Sequence, residues 1–182
     1  KNEGDLKFSD AGASWGFTIP SFSNGAAYGD LDNDGDLDLI INNVNEKAFV
    51  YKNNSRETGK HNYIGVSLKG NAKNTFAIGS KIKIYNKGQV YYREVEPSRG
   101  FQSSVDYKQI IGLGSSIQVD SMIIKWPDKT YSKYEHPGIN KVHVLQQGES
   151  REKVLEIITP ENKILFRPVV NKLDKHTEDD YI

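Results

Sequence analysis

Short apolar segments alternate with polar turns along most of this chain. Runs rich in β-branched and aromatic residues are separated by Gly, Asn, Asp and Pro, whereas the 3.6-residue period of an amphipathic helix is scarce. The pattern predicts an all-β fold. The predicted strands are Leu39–Val44, Ala48–Lys52, Tyr63–Lys69, Ser80–Tyr85, Val90–Glu96, Lys108–Leu113, Ser121–Trp126 and Lys141–Gln146.

Two of the predicted strands alternate strictly between apolar and other residues. Ile64, Val66 and Leu68 fall on one face of the first of them, and Ile82 and Ile84 fall on one face of the next. Each strand is therefore expected to cover a core on one side only.

Turn residues indicate the connections and one domain border. Asn86-Lys87-Gly88 suits a hairpin with Gly88 at a positive φ, and Pro127-Asp128-Lys129 indicates a second turn. The stretch from Asn53 to Asn62 contains no apolar residue and is interpreted as a loop between domains. We place the first unit at residues 1–60 and the second at residues 61–148.

The strongest local signal is the sequence Asp30-Leu-Asp32-Asn-Asp34-Gly35-Asp36-Leu-Asp38. Asp occupies alternate positions, and Gly35 stands where a sharp turn lets the chain wrap around a cation. Ca²⁺ prefers six to eight oxygen ligands, which Asp30, Asp32, Asp34 and Asp38 would supply from side chains and Asp36 from its main chain. The loop therefore predicts a Ca²⁺ site.

The spacing does not fit an EF-hand. Position 12 of an EF-hand loop carries a bidentate Glu, whereas the corresponding residue here is Ile41, which lies in a predicted strand. Without that Glu the affinity is expected to be weak, with a dissociation constant on the order of 10⁻⁴ to 10⁻³ M. Close-packed carboxylates also repel one another, and a bound cation is the simplest relief of that repulsion.

The segment from Ser23 to Asn43, followed by Ala48-Phe-Val-Tyr-Lys-Asn-Asn54, resembles one FG-GAP/VCBS blade of the integrin-α-like propeller type. In that family the Asp loop joins two strands and holds Ca²⁺, and the resemblance carries this role to the five aspartates. Trp15 is expected to be the inward anchor of the blade. Since blades normally pack between neighbours, a single one would leave apolar faces uncovered.

The segment from Asn62 to Gln147 resembles the ASPIC/UnbV domain that follows such blades in cartilage-acidic-protein-like proteins. The matching pieces are Gly79-Ser80, Arg99-Gly-Phe-Gln-Ser103, Gly112-Leu-Gly114 and Ile123-Ile-Lys-Trp-Pro127. Where the family often has Gly after Trp-Pro-Asp, this chain has Lys129. The resemblance implies a calcium-binding blade packed with a β-sandwich or barrel-like domain, followed over residues 149–182 by a linker and the start of a further repeat.

Charge and composition exclude several classes of function. Lys plus Arg (24) equals Asp plus Glu (24), so no global field attracts nucleic acid or an anionic membrane, and no basic aromatic stripe is visible in the sequence. Cys is absent, which excludes disulfides and thiolate chemistry. No apolar run approaches the length of a membrane helix. The chain begins at Lys1 and is interpreted as a segment of a longer protein.

Two further sets of residues have alternative interpretations. The segment from Arg99 to Ser104 can present a cation, a ring and hydroxyls to a ligand, with Arg99, Phe101 and Gln102 as the candidate ligand-binding residues; alternatively, Arg99 forms an internal salt bridge beside a core Phe101. The second set is aromatic and serves either as a stacking platform for sugars or as core packing. Its members are Tyr91, Tyr92, Trp126, Tyr131 and Tyr134.

The function expected from the resemblance is not enzymatic. The dense carboxylates are committed to the cation, and no Gly-x-Ser-x-Gly elbow is present. We expect a calcium-stabilised binding or adhesion module of a larger secreted or cell-envelope protein, located at the outer membrane surface or in the periplasm if bacterial. Its partners would be a glycan or an extracellular protein, together with the rest of the parent chain. Two alternatives stay open, an accessory segment of a glycan-processing enzyme and an architectural spacer between propellers.

Overall fold

The computed structural model describes residues 1–59 and 61–149, so the linker and further repeat predicted after Glu149 lie outside the described residues. Segments rich in β-branched and aromatic side chains form most of the strands of four residues or more, with β3 as an exception, and Gly, Asn and Asp residues are frequent in the turns. The strands are β1 (Asn2–Gly4), β2 (Lys7–Phe8), β3 (Ser23–Gly29), β4 (Asp38–Asn43), β5 (Phe49–Tyr51), β6 (Asn62–Lys69), β7 (Lys81–Asn86), β8 (Gln89–Glu94), β9 (Gln109–Gly114), β10 (Ser121–Lys125), β11 (Tyr131–Glu135) and β12 (Val142–Gln146). A 3-10 helix covers Ala13–Trp15, and a short helix α1 covers Ser55–Gly59.

The described strands form open sheets, which confirms the all-β prediction. In the first unit, β1 pairs with β2, and the order of the next sheet is β3-β4-β5. In the second unit, the sheets have the orders β12-β6-β9 and β11-β10-β7-β8. Strand β12 runs parallel to β6, whereas the other pairs are antiparallel.

Each of the eight predicted strands has a counterpart in the structure. The hairpin between β7 and β8 turns through Lys87 and Gly88, which both have positive φ (48° and 81°), as expected for a two-residue type I′ turn. Strands β1, β2, β3 and β11 were not predicted. Strand β3 was not predicted because its sequence, Ser-Asn-Gly-Ala-Ala-Tyr-Gly, has low β propensity. It forms a strand because it pairs with the more apolar β4.

The predicted loop from Asn53 to Asn62 is partly wrong, because Ser55–Gly59 forms α1. The Asn53 side chain accepts a hydrogen bond from the Ser55 backbone N–H at 3.0 Å, so it starts the turn that becomes α1. Polar composition alone therefore did not distinguish a loop from a single helical turn.

The hydrophobic core lies in the second unit. Both of its open sheets contribute to one buried cluster, so they cover a shared core without closing into a barrel. Its largest fully buried side chains are Ile64, Ile82, Ile84, Ile111, Met122, Ile124 and Trp126. The prediction that Ile64, Val66, Leu68, Ile82 and Ile84 face a core is confirmed. Within the described residues, no helix has the length and apolar character needed to cross a bilayer.

The expectation that β6 is covered on one side only is wrong. Tyr63 and Gly65 lie on the face opposite Ile64 and Val66, and both are buried. The guanidinium of Arg56 covers the Tyr63 ring at 4.8 Å from its centroid, and Val142 of β12 packs beside Gly65. The first unit therefore contacts the second face of β6 near the start of the strand, at Tyr63.

The first unit has no apolar core of its own. Its buried side chains are Asp30, Asp36, Asp38 and Asn43, whereas large apolar side chains such as Phe8, Phe22 and Val50 are 65–80% exposed. Trp15 is 59% exposed, so its predicted role as an inward anchor is wrong in this structure. The expectation that this unit leaves apolar faces uncovered is met.

Candidate metal centre

The aspartate loop joins β3 to β4. Gly29 pairs with Asp38 at the base of the loop, so Asp30 and Asp38 enter and leave it side by side. Within the loop, Asn33 and Gly35 have positive φ (61° and 92°), which bends the chain back on itself. The predicted connection between two strands is therefore present.

The loop brings three of the predicted side chains together. One carboxylate oxygen from each of Asp30, Asp32 and Asp34 lies within 4.8 Å of the others, a separation at which one cation can contact all three. Asp36 and Asp38 are not part of this group, and their direct ligation stays a prediction.

Hydrogen bonds from the backbone hold the loop in shape. The two carboxylate oxygens of Asp38 accept from the N–H of Leu31 at 3.0 Å and the N–H of Asn53 at 2.8 Å. Asp30 Oδ1 accepts from the Gly35 N–H at 3.2 Å. Asp38 therefore ties the loop to the chain that follows β5, and Asp30 spans the turn.

Two carboxylate oxygens in the loop are buried without a hydrogen-bond partner, Oδ2 of Asp34 and Oδ1 of Asp36. The other oxygen of Asp36 accepts from the Arg56 N–H and the Ser55 hydroxyl, both at 3.1 Å. Burial raises the pKa of Asp36, and the neighbouring Asp34 raises it further, while the hydrogen bonds from Arg56 and Ser55 lower it. Burial of these carboxylates is therefore incompletely compensated by the protein.

Cationic side chains relieve part of the repulsion. Lys52 Nζ lies 2.7 Å from Asp32 Oδ2 and 3.6 Å from Asp34 Oδ2, and Lys108 Nζ lies 3.1 Å from Asp30 Oδ2. The hydrogen bond from Lys52 lowers the pKa of Asp32, and Asp32 in turn raises the pKa of Lys52. The sequence indicates a bound cation as the simplest relief of this repulsion, and the structure shows that lysine side chains also relieve part of it.

The charge balance around the loop remains negative. The five aspartates carry five negative charges, and Glu57, whose Oε1 lies 3.3 Å from Lys52 Nζ, adds a sixth. Lys52, Lys108 and Arg56, whose Nη1 donates to the Asp34 carbonyl oxygen, supply three positive charges. Three negative charges remain, and two carboxylate oxygens of the loop have no hydrogen-bond donor. A donor set made of hard oxygens with this residual charge fits a divalent cation such as Ca²⁺.

The second unit closes one side of the loop. Gly35 approaches the Tyr63 ring so closely that a Cβ at Gly35 would overlap it, and the Arg56 guanidinium lies over the same ring. Lys108, which immediately precedes β9, reaches Asp30 from the second unit. The loop is therefore held between the two units rather than projecting freely into solvent.

A cleft of about 700 Å³ lies beside the loop and is lined by both units. Its lining combines aromatic, cationic and acidic side chains, and includes Tyr28, Tyr92, Arg93, Glu96, Arg99, Asp106 and Lys108. Of the three candidate ligand-binding residues, only Arg99 lines this cleft. Phe101 is 63% exposed and Gln102 is also exposed, so the alternative of a core Phe101 is wrong.

Sequence reasoning missed the side chains that surround the aspartates. Lys52 could have been found, because the predicted strands Leu39–Val44 and Ala48–Lys52 are joined by a short connection, which predicts a hairpin that returns the end of the second strand toward the aspartate loop. Lys108 and Tyr63 gave no such signal. Their approach to the loop depends on packing between units that are distant in sequence.

Comparison with known families gives one match. Residues 70–152 match the family described as ASPIC and UnbV. The ASPIC/UnbV part of the resemblance is confirmed over these residues, whereas the FG-GAP/VCBS part stays a prediction. The match begins just after β6, although β6 pairs with both β9 and β12. No curated protein matches the chain.

Proposed function

We propose that this chain is a non-catalytic, calcium-stabilised binding or adhesion module of a larger secreted or cell-envelope protein. The aspartate loop holds Ca²⁺ in this proposal, and the ion fastens the first unit to the ASPIC/UnbV-containing second unit. A glycan or an extracellular protein is the ligand, and the rest of the parent chain is the structural partner.

The observation that best supports the calcium site is that the buried side chains of the first unit are polar. In residues 1–59 the buried side chains are three aspartates and one asparagine, and no apolar side chain is buried. Buried charges in proteins are normally paired or bound to metals. A metal supplies here the cohesion that a hydrophobic core supplies in the second unit.

The aspartates of the loop would bind the ion through different oxygen atoms. Asp30, Asp32 and Asp34 would offer carboxylate oxygens, because these already converge. Asp36 would add its main-chain oxygen, as in other oxygen-rich loops that bind Ca²⁺. Asp38 would add a further oxygen in this proposal, in addition to the two backbone hydrogen bonds that its carboxylate accepts. When bound, the ion neutralises charge and fixes the loop.

The first unit is, in this proposal, an FG-GAP/VCBS-type blade. Its sheet β3-β4-β5 has the aspartate loop between its first two strands, as the resemblance implies. Its exposed apolar side chains, including Phe8, Phe22 and Val50, would pack against neighbouring parts of the parent chain. This arrangement favours a module within a large protein over an independent domain.

A binding role is favoured over a spacer by the cleft between the units. Tyr28 and Tyr92 are each more than 40% exposed at its wall, beside the guanidinium groups of Arg93 and Arg99. Half-exposed rings with neighbouring charged groups are typical of polar ligand sites. A weak calcium site also fits an extracellular or envelope location, because such a site fills where Ca²⁺ is millimolar.

Thermal and chemical unfolding in EGTA and in 5 mM Ca²⁺ tests the proposal. A dissociation constant of about 0.1 to 1 mM gives roughly 1 to 2.5 kcal/mol of added stability by mass action. The isosteric variant Asp32→Asn with Asp34→Asn should lose this gain, while Asp106→Asn, outside the loop, should keep it. An equal response of the native chain and the loop variant would refute the site, and calorimetric titration of the native chain provides the direct measurement.

A further inference from the structure

The cleft beside the aspartate loop lies where both sheets of the second unit end. Strand β8 is an edge strand of one sheet and β9 is an edge strand of the other. Both strands line the cleft, through residues that include Tyr92 and Ile110, and the end of β3 adds Tyr28 from the first unit. A ligand in this cleft would therefore contact strands of both units.

The lining of the cleft carries equal numbers of positive and negative side chains. The positive ones are Arg93, Arg99 and Lys108, and the negative ones are Glu94, Glu96 and Asp106. Three charges of each sign give a lining with no net charge. A polyanion or a polycation would meet repulsion as well as attraction here, so the lining does not favour a ligand of one charge sign.

The two guanidinium groups of the cleft keep free hydrogen-bond donors. Neither Arg93 nor Arg99 forms a salt bridge within residues 1–59 and 61–149. Arg93 Nη1 donates to the carbonyl oxygen of its neighbour Tyr92 at 2.9 Å, which uses one of its five N–H groups. The remaining donors are available to acceptor oxygens of a ligand.

Two carboxylates of the cleft keep a free acceptor oxygen. Oε1 of Glu96 accepts from the Ser98 N–H, and Oδ1 of Asp106 accepts from the Lys108 N–H, both at 3.1 Å. The second oxygen of each carboxylate has no protein donor among the described residues. A hydroxyl group can donate to such an oxygen and also accept from a guanidinium, so a ligand rich in hydroxyls satisfies both sets without any charge of its own.

Each unit contributes one accessible aromatic ring to the cleft. Tyr28 is 44% exposed and Tyr92 is 43% exposed. The Tyr92 hydroxyl donates to Oε2 of Glu94 at 3.2 Å, which restrains the ring. Such rings offer an apolar face beside a polar edge, and the C–H faces of sugar rings pack against faces of this kind.

The loop that carries Arg99 is held in shape before any ligand binds. Ser98 and Ser104 pair across its base. The Arg99 N–H donates to the Ser103 carbonyl at 3.1 Å, and the Ser103 hydroxyl donates to the Phe101 carbonyl at 2.7 Å. A loop that is already ordered loses less conformational entropy on binding, which favours a ligand that makes only a few contacts.

We propose that this cleft binds a neutral oligosaccharide, a short uncharged sugar chain with several free hydroxyl groups. The cleft volume of about 700 Å³ lies within the range of roughly 300–1,000 Å³ that is usual for sites of small ligands. A protein ligand normally needs about 800 Å² of surface on each partner, which is a larger and flatter site. The proposal rests on the binding function proposed above and selects its glycan alternative, but it does not depend on the calcium site.

Titration calorimetry of the full chain with neutral hexasaccharides of glucose, xylose, mannose and galactose tests this proposal. Hexagalacturonate, poly-L-glutamate and poly-L-lysine serve as charged comparators. At least one neutral sugar should bind, and its affinity should change less than about twofold between roughly 0.05 and 0.5 M NaCl, because no ion pair forms. Binding is measured in 5 mM Ca²⁺ and in EGTA.

Variants of the cleft identify the site of binding. Tyr92→Ala should weaken binding roughly tenfold, whereas Tyr92→Phe keeps the ring and should stay within about threefold of the native chain. Arg99→Gln should weaken binding about three- to tenfold through loss of its forked donors. Phe22→Ala removes an 80% exposed ring of the first unit outside the cleft and should bind like the native chain. Thermal unfolding checks that each variant is folded.

Three results would overturn the proposal. They are no binding to any of the neutral sugars, equal binding by the native chain and Tyr92→Ala, and tighter binding to a charged comparator than to every neutral sugar. The calcium site is judged separately, from the unfolding midpoint in EGTA and in Ca²⁺. A calcium response without sugar binding refutes the neutral-oligosaccharide ligand alone, and sugar binding without a calcium response refutes the calcium site alone.

Discussion

The ammonium of Lys108 lies 3.1 Å from Oδ2 of Asp30, although 78 residues separate them in the chain. The Asp30 side chain is 2% exposed and that of Lys108 is 17% exposed, so the pair is largely removed from water. Lys108 also donates to Asn33 Oδ1 at 3.0 Å. A positive charge from the second unit thus stands at the entrance of the loop that is proposed to bind calcium, and the two units are coupled through it.

Replacement of Lys108 by Met should lower the free energy of unfolding in the absence of calcium and enlarge the stabilisation that calcium provides. In EGTA the free energy of unfolding should fall by about 2 kcal/mol, because Asp30 keeps a buried charge without its partner. Ca²⁺ should then stabilise the variant more than it stabilises the native chain, because an ammonium no longer competes for Asp30. Urea unfolding in EGTA and in Ca²⁺ measures both effects.

Lys52→Met provides the comparison for Lys108→Met. Its side chain is 49% exposed and its partners Asp32 and Asp34 are partly exposed, so its loss should reduce stability less in EGTA. A larger loss for Lys52→Met than for Lys108→Met, or a smaller calcium response in the Lys108 variant, would contradict the proposed coupling.

Gly35→Ala should destabilise the protein by about 2 to 4 kcal/mol and weaken its response to calcium. Gly35 has φ of 92°, and a Cβ there would overlap the Tyr63 ring, so the loop or the ring must move. Gly88→Ala is the control, because Gly88 has φ of 81° but no atom within 4 Å of the added Cβ. Chemical unfolding of both variants separates overlap from backbone strain, and equal losses would show that the contact with Tyr63 is unimportant.

Local patterns in the sequence predicted the strands and the loop, but not their surroundings. Alternation placed Ile82 and Ile84 in the core because strand period depends only on the chain itself. The second face of β6 was mispredicted because Tyr63 is covered by Arg56 and Gly35, which come from the other unit. The juxtaposition of Lys81 and Lys125 was not visible in the sequence either, because it depends on which strands of the second unit become neighbours.

Lys129→Gly should stabilise the protein by about 0.5 to 1 kcal/mol. Lys129 occupies the left-handed region with φ of 68° in the turn between β10 and β11, where the ASPIC/UnbV resemblance leads one to expect Gly. The turn survives because Lys129 N–H still donates to the Trp126 carbonyl at 3.0 Å. Lys129→Ala retains the Cβ and should give no such gain in urea unfolding; equal stability of the two variants would show that backbone strain is absent.

Asp128 should give the protein a small acid-sensitive contribution to stability. Its Oδ1 accepts from the Thr130 hydroxyl at 2.6 Å and from the Thr130 N–H at 3.0 Å, and these hydrogen bonds lower the pKa of Asp128. Because the pKa is lower in the folded state, this contribution is fully present above the unfolded pKa of about 3.9 and is lost as pH falls through the folded pKa. Solvent exposure should keep it under about 1 kcal/mol.

Asp128→Asn isolates this contribution, since the amide oxygen can still accept but carries no charge. The native chain should be more stable than the variant at pH 6, and the difference should shrink as pH falls below about 4. Thr130→Val removes the hydroxyl donor, which lowers the pKa of Asp128 most, and should reduce the same pH dependence, because the Thr130 N–H and the Gln147 side chain would still favour the charged carboxylate but more weakly. Urea unfolding at pH 6 and pH 3 gives the comparison, and a difference between native and Asp128→Asn that is unchanged by pH would mean that the Thr130 contacts do not favour the ionised form.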